Sequence, residues 1–129
     1  MIVSDFGDEA MPVDLKSWRR VVEQTVAGIA DEALQRRAWF GIGPEESSPD
    51  EEFCMFFDDA AIEEFLERDD TGLNEEQVEA GKHLVKLMGE LADQTPEHVE
   101  PEDLIDDPRW QAIRKAAARF HKMLQAVNR

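Results

Sequence analysis

Two carboxylates side by side, Asp58 and Asp59, follow the apolar run Phe53-Cys54-Met55-Phe56-Phe57. An acid set against apolar side chains can have its pKa raised until it exchanges protons near neutrality, so this pair is the chain's one candidate for general acid–base chemistry. The competing reading is structural: one helix ends here, and the pair caps the backbone N–H groups of the next, each cap contributing roughly 1 kcal/mol. We read the pair as caps.

Metal chemistry has two openings. Glu79 and His83 lie four residues apart and share one face of a helix. A two-carboxylate, two-histidine bundle site uses Glu-x-x-His twice; here the step is one residue too long, and neither Glu97-His98 nor Phe120-His121 repeats it. A calcium loop counted from Glu67 places Asp69, Thr71 and Gly72 suitably, but Val78 falls where a bidentate Glu is required. No metal ligand and no cofactor is assigned. Nucleophilic catalysis has less support. Cys54 has no activating base near it in sequence and reads as a buried, inert thiol. Neither a G-x-S-x-G elbow nor a phosphate-cradling Gly-rich loop is present. The expectation is a protein without enzymatic chemistry.

Charge says more. The 129 residues carry 30 acids and 14 bases, net −16. Residues 1–37 are net −2, residues 38–108 net −20 and residues 109–129 net +6. Such a field repels a phosphate backbone and an anionic bilayer, which argues against nucleic acid and membrane as partners. It suits a basic protein. Asp58, Asp59, Glu63, Glu64, Glu67, Asp69 and Asp70 crowd about a dozen positions with only Arg68 among them, and they form the candidate partner-binding face. The bland alternative is a solubilising surface, its repulsion relieved by a cationic helix bearing Arg114, Lys115, Arg119 and Lys122 packed across it. No run approaches a membrane span. The lone Cys54 and the lack of a basic, apolar leader lead us to expect a cytoplasmic protein.

These residues must be positioned by helices. Residues 1–13 show no period and read as an arm, docked by Ile2, Val3 or Phe6; residues 14–129 read as one domain. Asp14 opens a helix with the stripe Leu15, Trp18, Val21, Val22, Val26 and Ile29. Asp31 caps a short second helix that carries Leu34, Ala38 and Trp39 and ends at Gly41 and Gly43. Ser48-Pro49-Asp50-Glu51 starts a third, with Phe53, Met55, Phe56 and Phe57 turned inward; a strand over 53–57 is the alternative. Ala60–Glu67 follows, then the turn Asp69-Asp70-Thr71-Gly72. Asn74, with Gln77 in a capping box, opens a long helix whose inner face is Val78, Gly81, Leu84, Val85, Met88, Leu91 and Ala92. One helical turn follows Pro101. Asp107-Pro108 begins the last helix, with the stripe Trp110, Ile113, Ala117, Phe120, Leu124 and Val127. Trp39, Phe40 and Phe53 are expected in the core. The class is all-α, a compact domain of five or six helices in orthogonal or bundle-like packing.

The landmarks Gln35…Trp39, Phe57-Asp58-Asp59 and Asp107-Pro108-Arg109-Trp110 together resemble a loose group of small acidic bacterial proteins, over most of residues 15–124. The group brings no catalytic residues. Small acidic proteins of this appearance include immunity proteins that neutralise basic nuclease toxins, which implies an inhibitory partner role. Two other readings stand beside it. In one, the Trp110–Val127 stripe pairs between chains in a homodimer. In the other, Asp58, Asp59, Glu79 and His83 serve a carboxylate enzyme or metal protein.

Overall fold

The computed structural model describes residues 14–95 and 99–127. The expected arm and the pair Glu97-His98 lie outside the described residues. Helix α1 (Leu15–Ala30) is followed by α2 (Glu32–Ala38), α3 (Pro49–Cys54), a π-helical turn (Met55–Asp59), α4 (Ile62–Glu67), α5 (Glu75–Gln94), the single turn α6 (Pro101–Leu104) and α7 (Pro108–Val127). The domain is all-α, with no strand among the described residues.

Local chemistry sets most of these boundaries. Side chains of Asp14, Asp31 and Ser48 accept from the N–H groups of Lys16, Leu34 and Glu51. At Asn74 the box is reciprocal: Asn74 Oδ1 accepts from Gln77 N–H and Gln77 Oε1 from Asn74 N–H. Each cap satisfies a donor that the first helical turn leaves orphaned. Asp107 Oδ1 does the same for Arg109 N–H, with Pro108 at the first helical position, where its missing N–H is harmless.

The three long helices form the framework. α7 packs along both α1 and α5, while α4 rests on α5 and the π turn on α1. The α7 stripe is buried as expected at Trp110, Ile113, Ala117, Phe120 and Leu124; the side chain of Val127 lies outside the described ones. It meets Val22, Val26 and Ile29 of α1 and Leu84, Met88 and Leu91 of α5 within one core. The stripe is therefore buried within its own chain. At Gly81 α5 lies close against its neighbours: a Cβ there would stand 2.7 Å from Leu66 Cδ2 and 2.9 Å from Phe120 Cζ.

Several expected placements are corrected. Asp58 and Asp59 cap nothing. The chain does not stop at Cys54 but widens into the π turn, closed by Ala60 N–H donating to Met55 O at 2.8 Å. The N-cap of α4 is Ala61, which has left-handed φ of 46° and no side chain able to accept, so the aspartates arrive two and three residues too early. Trp18 Nε1 donates to Ala60 O at 2.6 Å and holds this corner. Cys54 and Met55 are exposed rather than inward, and so is Phe40. Val21 lies exposed at the edge of the α1 stripe. On α5, Ala80 replaces the expected Ala92 on the buried face, and Val78 and Val85 are only half-buried.

Candidate interaction face

All seven acids of the expected face, Asp58, Asp59, Glu63, Glu64, Glu67, Asp69 and Asp70, are exposed. The π turn presents Asp58 and Asp59, α4 presents Glu63, Glu64 and Glu67, and the loop into α5 presents Asp69 and Asp70. These elements are consecutive, so the acids form one continuous strip of chain. Apolar side chains fix its underside: Phe56, Ile62, Phe65 and Leu66 are buried, and Phe65 meets Trp18 edge-to-face at 5.4 Å. Both ends are tied to α1, through Trp18 to Ala60 O and through an Arg19 guanidinium N–H to Thr71 O at 3.0 Å. The carboxylates thus stand on an anchored backbone.

Internal neutralisation is slight. Arg68 grips Asp70 with two hydrogen bonds, Nε to Oδ1 at 2.8 Å and Nη2 to Oδ2 at 2.6 Å, and its guanidinium lies 5.5 Å over the Trp18 ring. That bidentate bond holds the Asp70 carboxyl below its ordinary value. Among the described residues no cation forms an ion pair with Asp58, Asp59, Glu63, Glu64, Glu67 or Asp69. Beside them, a cleft of about 200 Å³ is lined by Glu63, Leu66, Glu67, Lys82 and Val85.

The cationic helix is elsewhere. α7 packs between α1 and α5, and two of its cations, Arg109 and Arg114, are bonded away from the acidic strip. Arg109 is bonded to Asp107 and Gln94, and Arg114 reaches Gln35, Ile105 O and Glu32. Arg119 lines a shallow cleft with Glu75, Glu76, Glu79 and His83. The expectation that α7 packs across the acidic segment is overturned: its stripe demands burial between the two long helices, and among the described residues no α7 cation forms an ion pair with the strip.

Glu79 and His83 do share a face of α5, but among the described residues no group of three His, Cys, Asp or Glu side chains is arranged to hold a metal ion. Trp39 is buried as expected and Phe53 half-buried, both ring-packed on Trp110. The sequence reading passed over two buried polar side chains. Gln35 is buried, and its Nε2 donates to Gly28 O and Ile29 O, both at 2.8 Å, while its Oε1 accepts from Trp110 Nε1 and Arg114. Glu52 is buried against α1. Its spacing from Pro49 and Phe56, three back and four on, puts it on the inward stripe of α3, a signal that was present in the sequence.

No helix among the described residues is long and apolar enough to cross a membrane. The chain matches no family model, no curated protein and no solved structure.

Proposed function

We propose that this is a non-enzymatic, cytoplasmic interaction protein whose acidic strip, Asp58 to Asp70, binds a basic protein. The observation that carries the reading is the lack of an ion pair, among the described residues, at six exposed carboxylates on an anchored backbone, with Arg109 and Arg114 of α7 bonded to other partners. Like charges this close repel one another and cost the fold a little stability, and a basic surface would relieve that repulsion on docking. Charge complementarity of this kind speeds encounter and makes it salt-sensitive. An immunity-type inhibitor of a basic toxin is the narrower form of the proposal.

The test is capture from the native host's lysate at low and high salt, beside a variant with Asp58, Asp59, Glu63 and Glu64 changed to Ser. The captured protein is then purified and its Kd measured. One stoichiometric basic protein, bound by the parent, weakened by salt and lost with the variant, supports the reading. Equal background from both chains sinks it.

A further inference from the structure

Glu52 is 6% exposed, the one acid among the buried residues described. Its Oε1 lies 3.6 Å from the position a Cβ on Gly28 of α1 would occupy. Gln35 and Gln77 both place their amides on backbone groups, and the fully buried side-chain polar atom without a partner among the described residues is Trp39 Nε1. The Glu52 carboxyl makes no hydrogen bond and no ion pair among the described residues, and its oxygens keep only the edge of solvent contact that the side chain retains. A neutral carboxyl tolerates such a place far better than a carboxylate, because burial penalises the charged form most.

The charged groups around it offer no relief. On α3 itself, Glu51 is adjacent and of like charge, and Asp50 accepts from Val99 N–H. From α1 the facing residue is Gly28, and the nearest cation on that helix, Arg20, is roughly 12 Å away along the axis. In the following π turn, Asp58 and Asp59 are acids and point to solvent. The positive end of the α3 dipole offsets a part of the cost.

We propose that Glu52 is a protonation latch: its neutral carboxyl lets α3 dock on α1, and loss of the proton loosens α3 together with the π turn that carries Asp58 and Asp59. α3 is only six residues long, and besides Glu52 it is held by buried Pro49, by Phe53 against Trp110 and by Asp50 accepting from Val99 N–H, so the loosening is local. Burial, with Glu51 adding to it, pushes the Glu52 carboxyl up to about 7 from the ordinary 4.5. Docked Glu52 therefore keeps a proton between those values that undocked Glu52 has released. Docking is strongest below 4.5, weakens as pH rises toward 7, and levels off above it. The latch stands whether or not the acidic strip has a partner.

Amide hydrogen exchange on the full chain, corrected for intrinsic rates and read at pH 5.5 and 8.0, tests this. Protection over residues 49–59, relative to α5 and α7, should fall by roughly tenfold or more in the parent and stay level in Glu52→Gln. Equal protection at both pH values overturns the latch. So does the same loss in Glu52→Gln, or a loss shared equally by α5 and α7. An NMR titration of the Glu52 carboxyl carbon in the unaltered chain tests it without a variant: a midpoint near 7 supports it, and one near 4.5 overturns it.

Discussion

Gln35 Oε1 lies 3.1 Å from Trp110 Nε1, joining residues 75 positions apart in a buried hydrogen bond. The same side chain donates to the carbonyls of Gly28 and Ile29 near the end of α1, so one amide links α1, α2 and α7. Gln35→Leu fills the space but strands the indole N–H and removes a partner from two carbonyls. The expected loss is about 2–4 kcal/mol of unfolding free energy, read from the urea midpoint at constant m-value.

Glu52 gives stability a pH slope opposite to that of a paired carboxylate. Its folded pKa is raised, so the native state binds the extra proton and stability declines between pH 4.5 and 7. Glu52→Gln should match the parent within error at pH 4.5. At pH 8 it should be more stable by about 1–3 kcal/mol. Urea denaturation at the two pH values checks both.

Two glycines of α5 should respond with opposite signs to alanine. At Gly81 the added methyl would press on Leu66 and Phe120, and overpacking of this kind costs roughly 1–3 kcal/mol, part of it offset by better helix propensity. At Gly89 nothing stands within 4 Å, so only the propensity gain remains, about 0.5–1 kcal/mol of stabilisation. Thermal unfolding of the two variants should therefore bracket the parent.

The acidic strip should be self-repulsive. Adding salt to the parent at low ionic strength should raise its Tm as the carboxylates are screened. The Asp58, Asp59, Glu63, Glu64 to Ser variant should start with a higher Tm and gain less. A variant that melts lower than the parent would show that these side chains contribute contacts to the fold.

Helix starts were legible because caps are local: Asp14, Asp31, Ser48 and Asn74 bond to N–H groups two or three residues on, and the pattern needs no knowledge of the rest of the chain. The α7 stripe was legible because twenty residues allow a period to be read. The corner at residues 55–61 was not. Its π hydrogen bond and left-handed Ala61 are held by Trp18, 42 residues away from Ala60, and nothing local in Phe57-Asp58-Asp59 announces that contact. Among the candidate residues the strip itself was legible, since acidic side chains are almost always exposed. Its lack of counter-charges depended on where α7 lies, which is a matter of tertiary packing.

The partnership of α1 with α7 bears on how the protein is made. The two helices come from opposite ends of the domain, and the Arg19 guanidinium reaches Leu124 O across 105 residues. During synthesis α1 emerges first, with its apolar stripe bare and its main partner not yet translated. Folding must wait until the last helix is free, and in that interval Val22, Val26 and Ile29 are open to chaperones or to other nascent chains.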